Sequence, residues 1–166
     1  MNIHNVFLQF AFLWAPFVHI PVEQATPSIY RGLDPKTKDI YALEKMGIKT
    51  IVSVRTNPEW KKQRLCQSLG MKWIQIKTGV FLTPTYEQFD QFRAIVNDSR
   101  NQPCYVCCEV AMDRTGVYLA AYRMVDQHWS AEQISDEFKK HHQKVWWPTF
   151  RKYQRVVREY AAKRST

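Results

Sequence analysis

Residues 104–117 read C-Y-V-C-C-E-V-A-M-D-R-T-G-V, and two side chains in this run are equipped for chemistry. Cys108 supplies a sulfur nucleophile once ionised, and Arg114, after five intervening residues, supplies a planar cation. A loop that short, closed between a strand end and a helix start, turns the backbone N–H groups of Glu109, Val110, Ala111, Met112 and Asp113 inward. Those donors and the positive helix N-terminus make a cradle for a phosphate dianion. The same field favours a thiolate at Cys108. Arg114 reaches two phosphate oxygens with its fork, where lysine would offer a point charge. The chemistry that follows is in-line attack of sulfur on phosphorus, a phosphocysteine, and its hydrolysis by water, with Arg114 and the backbone donors holding the equatorial oxygens. It calls for no metal and no cofactor.

Such a loop needs a strand before it and a helix after it. Residues 103–107 (P-C-Y-V-C) read as a short apolar strand and 115–127 as a long helix. Upstream, 28–31 reads as a strand. Residues 36–46 carry Ile40, Leu43 and Met46 at helical spacing, with Gly47 as the left-handed stop. Residues 48–54 (I-K-T-I-V-S-V) are a β-branched run typical of a buried parallel strand. Asn57 as cap with Pro58 behind it predicts a helix ending at Gly70. Residues 72–76 alternate as a strand, 77–84 form a loop, and Thr85 with Gln88 predicts a capping box and a helix to about residue 96. Ser130 with Gln133 starts another helix, and Pro148 introduces the last. Strands alternating with helices predict an α/β fold, a central, mostly parallel sheet flanked by helices, with chemistry at the C-terminal strand ends.

The chain divides into an apolar segment, 1–25, and a domain, 26–166. Residues 6–20 are too short to span a bilayer and Pro16 interrupts them; membrane-surface contact, a partner groove and packing onto the domain all stand as readings. Net charge is +9, a field that attracts anions of many kinds. Much of it lies in residues 138–166, mixed with aromatics, where a terminal helix with a packed aromatic face and a solvated basic face is favoured over a nucleic-acid surface. The four cysteines, Cys66, Cys104, Cys107 and Cys108, make a poor disulfide framework, so reduced thiols and a cytoplasmic, membrane-associated or free, location are expected.

C-E-V-A-M-D-R-T-G resembles the signature loop H-C-x5-R-[ST]-G of the protein-tyrosine and dual-specificity phosphatase superfamily, in particular its small bacterial, plant and fungal branch ending D-R-T-G. I-Y-R-G at 29–32, G-I-K-T-I-V-S-V-R at 47–55 and T-P-T-x-E-Q at 83–88 match that branch in order. The resemblance implies a metal-independent, cysteine-dependent phosphatase acting on a phosphorylated protein, an inositol phosphate or a phosphoinositide. It implies that Thr115 assists thiolate departure and that Gly116 lets the helix pack beneath the loop.

Four positions depart from that pattern. Cys107 stands where the superfamily has His; it and Cys104 are candidate redox partners of Cys108, or small buried strand residues. Ala111 replaces a glycine, and Glu109 replaces the Lys or Gln of close relatives. The loop 77–84 lacks the Asp that serves as general acid in many members. Asp113 is the candidate acid, or a loop brace, with Glu87 and Asp90 behind it. Lys77, Lys139 and Lys140 are candidates for a basic rim around an inositol headgroup. A competing reading is a catalytically impaired module that binds phosphorylated proteins or phosphoinositides; a rhodanese-like sulfurtransferase is opposed by D-R-T-G.

Overall fold

The computed structural model describes residues 20–79, 82–109, 113–141 and 147–164. Among them, five strands make one sheet: β1 (Val22–Thr26), β2 (Ile29–Leu33), β3 (Thr50–Ser53), β4 (Lys72–Gln75) and β5 (Cys104–Cys108). The order is β1-β2-β5-β3-β4, with β5 central. Every pairing is parallel except β1 with β2, an antiparallel hairpin at one edge. The helices are α1 (Thr37–Lys45), α2 (Trp60–Ser68), α3 (Tyr86–Asn97), α4 (Asp113–Asp126), α5 (Ala131–His141) and α6 (Trp147–Arg164). The expected mostly parallel α/β architecture is what the chain adopts.

Side chains alternate across a strand, so each sheet face builds its own core. On one face Cys104, Val106 and Cys108 of β5 join Phe89, Phe92, Val117, Phe138 and Tyr160 from α3, α4, α5 and α6. On the other, Tyr105 and Cys107 join Ile40, Leu43, Ile51 and Cys66 beneath α1 and α2. The strands read as continuous apolar runs because both faces are covered. In α6, Tyr153, Val157, Tyr160 and Ala161 are buried while Arg151, Lys152, Arg155 and Arg158 are exposed. Over these residues the basic tail is an amphipathic helix with Tyr153 and Tyr160 in the core; Trp146 and the side chains of Trp147 and Phe150 lie outside the described residues.

Local signals place most boundaries. Thr85 accepts from the Gln88 backbone and Gln88 reaches back to Thr85, closing a capping box at α3. Ser130 and Gln133 exchange the same bonds before α5. Gly47 and Gly70 end α1 and α2 at φ +80° and +72°, conformations that suit glycine. The Asn57–Pro58 start is not used: α2 begins at Trp60 behind Glu59. Gln75 accounts for the delay, since its amide donates to the carbonyls of Arg55 and Asn57 at 2.9 and 2.7 Å and holds that stretch as loop. β1 is a further difference from expectation, since residues 22–25 fall in the segment expected to be apolar and yet pair with β2. Residues 1–19, which hold most of that segment, lie outside the described residues.

Gly32 is required by close approach. A Cβ built there would run into the Tyr105 hydroxyl and the Pro21 carbonyl, while that hydroxyl donates to the Leu33 carbonyl at 2.7 Å. Gly32→Ala is expected to destabilise the fold by about 1–3 kcal/mol, the scale of overpacking. Adding Tyr105→Phe should recover part of the loss; urea midpoints of the single and double variants check both.

Candidate functional site

Cys108 is the last residue of β5, at the C-terminal edge of the sheet, and Arg114 is the second residue of α4. The strand therefore runs one residue further than expected and delivers the sulfur at its tip. Val110, Ala111 and Met112 lie outside the described residues, as does the Asp113 side chain; Asp113 itself opens α4. Cys108 and Arg114 are both buried, at 1 % and 6 % exposure. Arg114 Nη1 donates to the Thr78 carbonyl at 3.1 Å, and the Thr56 hydroxyl donates to the same oxygen at 2.9 Å. The Thr78 hydroxyl pairs with Tyr118 of α4 at 2.6 Å. The loop after β4 is thus tied to α4 twice, and the arginine is fixed by it.

Thr115 is fully buried, and its hydroxyl has no hydrogen-bond partner among the described residues. An orphaned buried hydroxyl costs free energy unless something occupies the space beside it. It lies in the first turn of α4, one residue past Arg114.

The other cysteines sit apart from Cys108. Cys107 faces the opposite core, and burial, with the Asp34 carboxylate next in effect, pushes its thiol well above the ordinary range. Cys104 shares the Cys108 face but lies four residues back, roughly 13 Å along the strand; burial pushes it up to about 12. Cys66 is pushed up to about 11 by the same cause. All four are free thiols.

The two carboxylate candidates outside the loop, Glu87 and Asp90, both have pKa values below the ordinary carboxylate range. Glu87 is lowered by hydrogen bonds to its own backbone N–H and to Thr85. Asp90 is lowered chiefly by Arg164, then by the Tyr160 hydroxyl, which donates at 2.6 Å. It clips α6 to α3. A depressed carboxylate contributes stability above its unfolded value and loses it as the pH falls through the folded one. Asp90→Asn should therefore be less stable than the wild type at neutral pH, with the gap closing below the ordinary Asp value of about 3.9. Urea midpoints across pH test this.

Sequence reasoning missed two arginines. Arg31, 3 % exposed in β2, lies on the Cys108 face of the sheet, since it registers with Val106. Burial lowers its guanidinium, and Glu23 and then Cys108 oppose that shift. Glu137 of α5 pairs with it at 3.4 Å and also with Arg123. The signal was an arginine in the otherwise apolar I-Y-R-G run. The other is Arg55, just past β3. Asp34 at 2.5 Å and Glu59 at 2.8 Å hold its Nη1, and Lys62 shares Asp34 at 2.6 Å. Burial works against the Arg55 charge, but Asp34, Glu59 and Glu109 together raise it. Glu109 is mostly exposed and brings one oxygen to 3.9 Å from Arg114 and 4.0 Å from Arg55. The proposed rim lysines are exposed; Lys139 pairs with Asp136 and Lys140 with Glu23.

Comparison with known proteins agrees with this fold. A family model described as "DSP-PTPase phosphatase fused to NAD+ Kinase" matches residues 21–149. The dual specificity protein phosphatase TpbA of Pseudomonas aeruginosa (strain UCBPP-PA14) is 24 % identical over 131 residues, 76 % of this chain and 58 % of TpbA. The chain thus spans little more than half the length of the curated relatives it matches. The core catalytic domain of the PP-IP phosphatase Siw14 from S. cerevisiae superimposes with a TM-score of 0.76 at 20 % identity, covering 86 % of this chain and 88 % of that one. PTPMT1 in complex with PI(5)P gives 0.69 at 13 % identity, over 87 % and 99 %. These structural likenesses speak to fold. The family match covers most of the chain and includes the whole Cys108–Arg114 loop, and on that ground the chain belongs to the DSP-PTPase family, within the cysteine-dependent tyrosine and dual-specificity phosphatase superfamily.

Proposed function

We propose that this chain is a metal-independent phosphoric monoester hydrolase working through a phosphocysteine. The observation that carries the reading is the pairing of a nucleophile at the tip of a central strand with a guanidinium anchored in the first helical turn beyond it. The Cys108 thiolate attacks phosphorus, and the P–O bond to the leaving group breaks opposite the forming S–P bond. Asp113 gives its proton to the departing oxygen, a contribution of about 10²–10⁴-fold. Water then attacks the phosphocysteine, Asp113 takes back a proton, and the sulfur leaves as thiolate with the Thr115 hydroxyl donating to it. Arg114 holds the equatorial oxygens through both steps. The substrate is a phosphorylated protein, an inositol phosphate or a phosphoinositide. This range is supported by the named activities and ligands of TpbA, Siw14 and PTPMT1.

The test is hydrolysis of p-nitrophenyl phosphate by freshly reduced protein in EDTA, with acid quenching during turnover and mass analysis of the Cys108 peptide. A phosphate adduct on that peptide and EDTA-resistant turnover are expected. No turnover from pH 5 to 8 would sink the hydrolase reading and leave a module that binds phosphorylated ligands.

A further inference from the structure

We propose that Arg55 and Arg114 together form a second anion subsite at the mouth of the loop, which takes a phosphate neighbouring the one cleaved; the inference rests on the Cys108–Arg114 reading above. Two guanidiniums are anchored in the same manner. Arg114 is held through Nη1 by the Thr78 carbonyl, and Arg55 through Nη1 by Asp34 and Glu59. Each brings Nη2 near the same Glu109 oxygen, which lies 3.9 Å from one and 4.0 Å from the other. Those separations are ion-pair distances beyond hydrogen-bond length, and the Glu109 side chain is 63 % exposed. Such a contact is weak and readily exchanged. A phosphate carries more charge and more acceptor oxygens than a carboxylate, so it displaces Glu109 and hydrogen-bonds both forks.

Asp34 and Glu59 serve as aiming groups. Both sit on one side of Arg55 and fix the direction of its free edge. Lys62 neutralises the second acid of the group, pairing with Asp34 at 2.6 Å and Glu59 at 3.4 Å. The Arg55 edge that faces the loop therefore keeps its positive field. The substrate class this selects carries two adjacent phosphates, with Arg114 common to both.

Calorimetric titration of the intact chain, reduced and in EDTA, with methylphosphonate and with methylenediphosphonate tests the proposal. Neither probe is cleaved, so the result does not depend on turnover, and a dead hydrolase with an intact subsite is told apart from a missing subsite. The wild type is expected to bind the diphosphonate at least about tenfold more tightly. Arg55→Gln should collapse that ratio toward one. Arg100→Gln, which removes an equal charge at the opposite edge of the sheet, should keep it. If Arg55→Gln does not fold, Glu109→Gln carries the test on an exposed position: losing the resident carboxylate should strengthen diphosphonate binding several-fold more than monophosphonate binding. A wild-type ratio near one, an equal fall in Arg55→Gln and Arg100→Gln, or no preferential gain in Glu109→Gln overturns the subsite.

Discussion

Cys108→Ser is expected to reduce hydrolysis of p-nitrophenyl phosphate by at least about 10⁴-fold, the scale on which loss of a covalent nucleophile acts. A serine hydroxyl at the tip of β5 stays protonated at neutral pH, and no side chain in the described part of the loop is a base that would ionise it. The setting of Arg114 is untouched, since the guanidinium stays tied to Thr78. Binding should thus outlast turnover, so the variant holds a phosphorylated ligand it cannot cleave. Serine is a near-isostere in a position with 1 % exposure, and the melting temperature should move by only a few degrees. Steady-state rates with phosphonate titrations on one preparation check both halves. A variant that retains turnover would place the nucleophile elsewhere.

The signature loop was legible because its function is local: a strand tip, four residues and a helix start need no distant partner to be recognised. The capping pairs at Thr85 and Ser130 were legible for the same reason, each being closed within three residues. What the sequence concealed depends on contacts between segments far apart in the chain. Asn57 and Pro58 form a good local start signal, yet Gln75, eighteen residues away, binds the Asn57 carbonyl and delays the helix. The hairpin strand Val22–Thr26 contains Glu23 and Gln24 and lacks the β-branched density of the buried strands; β2 recruits it through the ladder. The setting of Arg55 is built from Asp34, Glu59, Lys62 and Glu109, drawn from three places in the chain. Each of these residues alone reads as an ordinary surface charge. Thr78 lies in the stretch where the family resemblance pointed to a missing acid. Its backbone carbonyl, which no side-chain pattern advertises, is what holds Arg114.

That carbonyl sets the size of the second large effect. Arg114→Lys is expected to lower kcat by about 10²–10³-fold although the charge is conserved. The guanidinium divides its work: Nη1 goes to Thr78, and Nη2 has only the loose Glu109 contact at 3.9 Å to exchange for oxygens of the transferring group. A lysine ammonium is a single point. If it binds the Thr78 oxygen it sits back from the phosphate, and if it moves forward it leaves that carbonyl with the Thr56 hydroxyl alone. Charge developing on the equatorial oxygens in the transition state then loses its paired donors, while ground-state attraction to a cation persists. The loss should accordingly fall more on kcat than on KM. Arg114→Met removes both the charge and the donors and should cost more, with KM rising as well. Phosphonate titration separates the two variants, since lysine retains measurable binding and methionine does not. Equal kcat in Arg114→Lys and wild type would mean that charge alone suffices, and the anchoring by Thr78 would then have no catalytic consequence.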